Sequence, residues 1–556
     1  MSSSGTSPDS GSLGLRRRTF TTLALAPLGA LALPGVAAAE EAAGEPLAVV
    51  PAAECTPDPA VPKRELRAMW IASVVNIDWP RQPGLPEQTL KDEYRAWLDM
   101  AESLNHNAVV VQIRPTADAF WPSPYEPWSE WLTGARDGVG PGWDPLKFLV
   151  DEAHSRNLEF HAWFNPYRVS MPTGAAGDIS KLAPNHPVRQ HPEWAVPYPK
   201  GNAATRLYYN PGIPEVRAFV QTAIMDAVLN YDIDGVHFDD YFYPYPASGQ
   251  DFDDEATFAA YGAGWANKGD WRRNNIDLLI QEMSQKVREA KPWVKFGVSP
   301  FGIWRNKAAD PLGSETNGTQ SYDANFADTR KWVKAGWLDY IVPQIYWNIG
   351  FAVADYDKLA RWWADVVAGT DTQLYVGQAD YKISLAGQPA AWFDPHEMGK
   401  HIALNRDLGI DGSIHFSAKD VKANRLGATD LVKAQFYSRP SIIPALVRVP
   451  AQPMLPPVIT NLAHGADGVR LTWLVPADGA GPFADAVSFA VYRVDGWHPR
   501  PDECELSDAA QLIGTVRGTS FLDTTAAGGQ RYTYYVTSLD RVWHESKPGI
   551  GRITLA

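Results

Sequence analysis

Apolar runs of strand length alternate with segments whose apolar residues recur at helical spacing, and the two patterns repeat in turn between residues 65 and 418. The strand-like runs cover 65–73, 108–115, 159–168, 235–243, 295–302, 340–347, 373–382 and 411–418. Among the segments between them, 88–104, 214–231, 271–290, 356–367 and 395–408 carry the period of amphipathic helices. Strand–helix alternation predicts a parallel sheet covered by helices, and the eight runs predict closure into a (β/α)8 TIM barrel. No G-x-G-x-x-G follows the first run, which argues against an open dinucleotide-binding sheet. Beyond a Pro-rich stretch near 450–457 the pattern shortens: 468–474, 488–494 and 531–539 read as strands between Gly, Pro and Asp turns, as in a small all-β sandwich. The fold class is α/β, divided into a leader (1–39), a linker (40–62), the barrel (63–440), a Pro-rich linker (441–457) and the sandwich (458–556). That Pro-rich boundary predicts two cores that fold independently.

The leader carries an export signal. Arg16, Arg17 and Arg18 precede Thr19 and Phe20, an apolar run from Leu23 to Val36 follows, and Ala37-Ala38-Ala39 supplies an A-x-A cleavage site. This order predicts twin-arginine (Tat) export from a bacterial cytoplasm, maturation near Glu40, and an extracellular or wall-associated location. The run is short for a bilayer span and no other segment offers 18 uninterrupted apolar residues, so no stable membrane insertion is expected after leader removal. A net charge of −14 argues against a nucleic-acid partner, which needs a basic face. Cys55 and Cys504 are too few for a disulfide framework, and whether they pair stays open. The 22 Trp and 22 Tyr exceed what a core normally uses, so these rings either line a ligand surface or fill a large core.

In a barrel the chemistry gathers at the C-terminal ends of the strands. The second run ends VQIRPTAD, where period-two alternation puts Gln112 and Arg114 on one face with Asp118 beyond; the third, FHAWFNPYR, aligns His161, Trp163 and Asn165. The fourth, GVHFDDYFYP, sets His237, Asp239 and Asp240 in an otherwise apolar and aromatic stretch. Two adjacent carboxylates are costly to bury unless they are paired, protonated or turned to a polar cavity, so a functional pair is favoured over a helix cap or an ion pair with Arg114. His237 reads equally well as a core histidine or a substrate contact. The later ends, VPQIYWN, YVGQADY and IHFSAKD, add Gln344, Tyr346, Trp347, Gln378 and Asp380. Tyr241, Tyr243, Tyr346, Trp347, Trp163 and Trp304 surround these ends as stacking faces for sugar rings, and the Trp- and Pro-rich loops after the second and third strands read as cleft walls. His161, His237 and His415 could in principle meet at a metal, but no H-x-H or H-E-x-x-H anchors them, and no metal or cofactor is assigned. No G-x-S-x-G elbow supports a serine nucleophile.

The motifs RELRAMWIASVVNIDWP, VVQIRPTADAFWPS, HAWFNPYR, YYNPGIPEVR, DGVHFDDYFYP and PQIYWN, in this order over 63–439, closely resemble the glycosyl-hydrolase-like family 10 proteins of the bacterial envelope. The tail is similar to a fibronectin type III domain, with Trp473, Tyr532 and Tyr534 as its core aromatics. The first resemblance implies a glycoside hydrolase whose polysaccharide substrate is cell-wall glycan, in particular peptidoglycan strands stripped of stem peptides. The adjacent acids also resemble the arrangement in barrel N-acetylglucosaminidases that use substrate assistance. On that likeness Asp239 orients the acetamido group, Asp240 is general acid/base and Tyr346 hydrogen-bonds the acetamido carbonyl. Arg114, Trp163, Asn165, His237, Tyr241, Gln344, Trp347 and Gln378 are the expected substrate contacts. A non-catalytic glycan-binding protein and a metal-dependent hydrolase or deacetylase are the rival functions, and Asp118 or Asp380 is the distant second carboxylate if the adjacent pair does not suffice.

Overall fold

The computed structural model describes residues 58, 60–476, 483, 485–499 and 503–555; the leader and Cys55 lie outside them. Eight parallel strands close into a barrel: Leu66–Ile71, Ala108–Arg114, Glu159–Phe164, Gly235–Phe238, Lys295–Val298, Tyr340–Ile341, Gln373–Gln378 and Gly412–His415. The first strand pairs with both the second and the eighth, which is the closure. Every residue of these strands is buried, the state of a sheet covered on both faces. Alternate side chains separate cleanly. Leu66, Ala68 and Trp70 join Val110, Tyr340, Tyr375 and Ile414 in the barrel interior, whereas Met69 and Ile71 join Val109 and Val111 beneath the helices.

The helix layer follows from local signals. Tyr356–Val367 is capped by the Asp355 carboxylate, which accepts from the Asp357 amide, and it buries Tyr356, Leu359, Ala360, Trp363 and Val366 on one face. Asp144 and Asn267 cap Pro145–Ser155 and Lys268–Ala290 in the same way. No helix of the described residues is long and apolar enough to cross a membrane.

The C-terminal region is all β. Strands Val458–Gly465, Gly468–Leu474 and Ser520–Asp523 form one antiparallel sheet; Leu512–Val516, Ser488–Asp495, Arg531–Leu539 and Gly549–Thr554 form another. Val469, Leu471 and Trp473 of the first pack on Phe489, Val491, Tyr534 and Val536 of the second. The opposite face of the second sheet does not meet solvent: Ala490, Tyr492, Tyr535 and Leu539 cluster with Ile442, Ile443 and the barrel interior. Trp543 reaches the barrel floor and donates its indole N–H to Glu159 at 2.5 Å, beside the Lys295–Glu159 ion pair at 2.7 Å.

This arrangement differs from the independent cores expected of the Pro-rich boundary. Residues 441–449 are not a linker, because Ser441, Ile442, Ile443, Leu446 and Val449 are buried and Ile442 bridges Arg64 in parallel. Lys63 and Arg64 bind Glu545, and Arg448 binds Asp339 at 2.6 Å. A chain ending at Val449 is therefore expected to lose on the order of 10 °C in Tm, or to become insoluble, since several apolar side chains worth about 1.5–3 kcal/mol each lose their cover. Differential scanning calorimetry checks this. An unchanged transition for the shortened chain contradicts the shared core.

Candidate active site

A cleft of ≈ 330 Å³ opens at the C-terminal ends of the strands. Its walls are the rings of Trp70, Trp163, Tyr241, Tyr346, Tyr381 and Phe416; its polar lining comprises Asp239, Asp240, Gln344, Ser299, Arg168 and Arg206. Faces for sugar rings thus stand beside groups that hydrogen-bond hydroxyls.

The acids end the fourth strand. Alternation turns His237 inward, sends Phe238 outward onto Phe296 with ring centroids 5.2 Å apart, and brings Asp239 inward again above His237. Asn165 Nδ2 donates to Asp239 Oδ2, and the Tyr241 amide donates to Oδ1 at 3.4 Å. Asn165 is itself held: its Oδ1 accepts from Gln112 Nε2 and from Arg168 Nη2, both at 2.6 Å, and Gln112 Oε1 accepts the Ser73 and Val74 amides at 3.0 and 2.9 Å. Asp240 accepts from the Tyr245 hydroxyl through Oδ2 and from Gln344 Nε2 through Oδ1 at 3.2 Å, while the same Gln344 amide group donates to Ser299 O at 2.9 Å.

Burial raises both carboxyls above the ordinary range. Asp239 is carried up to about 7 by burial and then by the charge of Asp240, against the opposing pull of Arg168 and Asn165. Asp240 is raised by burial against the hydrogen bonds from Tyr245 and Gln344. Two like charges this close do not both ionise readily, so the pair holds one proton near neutral pH. Tyr346, between Tyr381 and Phe416, is pushed well above the ordinary phenol by burial and by Tyr381 and Asp240, and so remains a donor.

Beneath the cleft, His237 is a satisfied core histidine. Trp70 Nε1 donates to its Nε2 at 3.2 Å, Ser299 Oγ lies 3.0 Å from that nitrogen, and Nδ1 lies 3.0 Å from the Tyr340 hydroxyl. Burial, then His161, holds its pKa well below the usual imidazole, so it is neutral and its Nε2 is the acceptor. The Tyr340 hydroxyl also meets His161 Nδ1 at 2.9 Å, and His161 Nε2 meets Glu159 at 2.8 Å, so the chain of bonds runs down to the floor.

The structure brings Asp239, Asp240, Tyr241, Tyr346, Trp163 and Gln344 to the cleft, with Asn165 holding Asp239 from below. It places the other expected contacts elsewhere. Arg114 leaves the face of Gln112 because a bulge intervenes: Gln112 pairs with Trp163 but Arg114 with Phe164, the next residue. Its guanidinium is buried against Glu126, with Nε–Oε2 at 2.6 Å, and is a structural ion pair, though with a different acid from Asp239 or Asp240. Gln378 points into the helix layer, donating to Tyr356 OH at 2.8 Å and meeting His401 Nδ1 at 3.0 Å. Trp347 packs edge-on against Phe301. Tyr243 and Trp304 are core aromatics under neighbouring loops.

Neither distant carboxylate lines the cleft. Asp118 accepts from Thr116, and Asp380 meets His415 Nδ1 at 3.0 Å on the outer side of the barrel wall. His161, His237 and His415 do not converge, and among the described residues no group of three or more His, Cys, Asp or Glu is placed to hold a metal ion. The loop after the second strand does not line the cleft, whereas the excursion after the third supplies Arg168, Met171 and, on the strand Arg206–Tyr209 of a hairpin with Ala195–Tyr198, Arg206. Trp70, Arg168 and Tyr381 lie inside the motifs RELRAMWIASVVNIDWP, HAWFNPYR and YVGQADY, and Tyr245 directly follows GVHFDDYFYP, but nothing in those motifs marks them as cleft residues; Arg206 lies in none of them.

An acid pair at the strand ends of a parallel barrel, under aromatic walls, defines a barrel glycoside hydrolase. The chain belongs to the family described as glycosyl hydrolase-like 10, whose pattern matches residues 65–394. It is 47% identical over 491 residues to glycosyl hydrolase YngK of Bacillus subtilis (strain 168), covering 87% of this chain and 92% of that protein. It is 40% identical over 391 residues to glycosyl hydrolase DigH of Escherichia coli (strain K12), covering 67% of this chain and 84% of that protein.

Proposed function

We propose that this glycoside hydrolase cleaves N-acetylated bacterial cell-wall glycan, as peptide-free strands, by a retaining route in which the substrate's own 2-acetamido oxygen is the nucleophile. One observation carries the reading: the carboxylates lining the cleft are the sequence neighbours Asp239 and Asp240, while Asp118 and Asp380 are engaged elsewhere. Two carboxylates acting from opposite sides of a glycosidic bond stand about 5–9 Å apart, and neighbours on one strand end do not straddle a sugar in that way. A nucleophile supplied by the substrate removes the need for the second side.

In this reading Asp239, fixed by Asn165, accepts the acetamido N–H. That bond favours ionised Asp239 and so moves the pair's single proton to Asp240. Tyr346 donates to the acetamido carbonyl and aligns its oxygen with the anomeric carbon. As that oxygen bonds to C1, the glycosidic C–O bond breaks and Asp240 gives its proton to the departing oxygen. The oxazolinium intermediate carries positive charge beside Asp239. Water, deprotonated by Asp240, then opens it at C1 and restores both the acetamide and the original anomeric configuration. The twin-arginine leader pattern suits a substrate outside the cytoplasm.

Incubating the mature enzyme with purified peptide-free glycan and weighing the products tests the activity: saccharides with intact N-acetyl groups and new reducing ends support it, and unchanged glycan contradicts it. The pair also fixes a pH dependence. The free pair keeps its proton up to about 7, so kcat/KM falls as pH rises through that value and the acid is lost. Asp239→Asn removes the neighbouring charge and moves this alkaline limb to lower pH. Unchanged rates from pH 5 to 9, about four units spanning the pair, contradict it.

A further inference from the structure

Four buried arginines of this chain are paired with acids: Arg67 with Glu65, Arg114 with Glu126, Arg272 with Asp254 and Arg406 with Glu65. Arg206, in the wall of the cleft, is different. Its Nη1 lies 3.7 Å from the sulfur of Met171, its Nε is buried without a hydrogen-bond partner, and no ion pair to it occurs among the described residues. Arg168 beside it spends its donors on Pro115 O and Asn165 Oδ1 and is the cation that acts on Asp239 and Asp240. A guanidinium presents its N–H donors in a fork that fits a carboxylate; here the half-buried Arg206 faces only Met171 and the neutral phenol of Tyr208, and its buried Nε is unmet, so the cation has no anion of its own.

We infer that Arg206 is the cleft's recognition group for a carboxylate carried by the glycan. The inference rests on the cell-wall reading above and deepens it. In peptide-free glycan the 3-O-lactyl ether of each muramyl residue ends in a free carboxylate. Attachment of a stem peptide converts that carboxylate to a neutral amide, so Arg206 separates bare from peptide-bearing strands by charge.

The test compares peptide-free glycan with the same glycan after carbodiimide coupling of its lactyl carboxylates to methylamine. Wild type is expected to favour the free acid by about ten- to a hundredfold in kcat/KM, the range of one charge-assisted contact. In Arg206→Met that preference falls to near unity, through a higher KM on the free acid, while turnover of the amide is retained and shows that the variant is folded. Arg206→Lys keeps part of the preference. Hyaluronan oligosaccharides separate the carboxylate's source: inhibition that Arg206→Met abolishes assigns the site to a ring carboxylate, and no inhibition leaves the lactyl group. Equal cleavage of both glycans by wild type, or equal loss on both in Arg206→Met, overturns the inference while leaving the glycosidase reading intact. Cleavage of neither glycan by wild type overturns both.

Discussion

Asp240→Asn is expected to lower kcat/KM on peptide-free glycan by about two to four orders of magnitude, because an amide cannot donate the proton that the departing sugar oxygen requires. The folded state should survive, since Asn keeps the shape, its Oδ1 can still accept from Gln344 Nε2, and its NH2 can donate to the Tyr245 hydroxyl oxygen, whose own hydrogen turns away. The loss depends on the leaving group. An activated aryl glycoside, whose phenolate departs without protonation, is expected to be partly spared, so the ratio of the two substrates' losses reads the acid role directly. Equal losses on both substrates contradict that role for Asp240.

Asp239→Asn is expected to cost a similar two to four orders of magnitude, about 3–5 kcal/mol, on the glycan and on the aryl glycoside alike. The carboxylate orients the acetamido nucleophile and faces the positive charge of the intermediate, and neither demand depends on the leaving group. The hydrogen-bonded frame of Asn165, Gln112 and Arg168 makes this carboxylate rigid, which preorganises the nucleophile before the bond breaks. Steady-state kinetics of both variants on both substrates settles the division of labour. A variant of Asp239 that spares the aryl glycoside as Asp240→Asn does contradicts it.

The barrel was legible because strands buried on both faces write continuous apolar runs, and all eight were located. Their lengths were not. The ladders stop at Phe164, Val298 and Ile341, just before Pro166, Pro300 and Pro343, whose missing N–H groups end the pairing, although the apolar pattern continues. Polar and aromatic residues at the strand ends also pointed to the acids, Gln344 and Tyr346, and alternation along the third strand to Asn165. Alternation misplaced Arg114 because the bulge beyond Gln112 shifts register by one, and a bulge leaves no mark in a count of period two. Gln378 was misplaced because the inward face of its strand is Tyr375 and Gly377, which turns the next residue to the helices. Arg206 comes from a hairpin inserted after the third strand and meets the acids only through the tertiary fold, so no local spacing announces it. The shared core with the C-terminal sheets was hidden for the same reason: the buried outer face of Ser488–Asp495 reads in sequence like any sandwich strand.

The account turns on the acetamido group acting as nucleophile, and removing that group from the substrate tests it most directly. Peptide-free glycan and the same glycan after chemical de-N-acetylation are to be compared under single-turnover conditions with the wild-type enzyme. Loss of cleavage by about a thousandfold or more, in the rate of the chemical step and not only in binding, is the expected result. Equal rates on the two glycans contradict substrate assistance and require a nucleophile or base from the protein beyond Asp239 and Asp240.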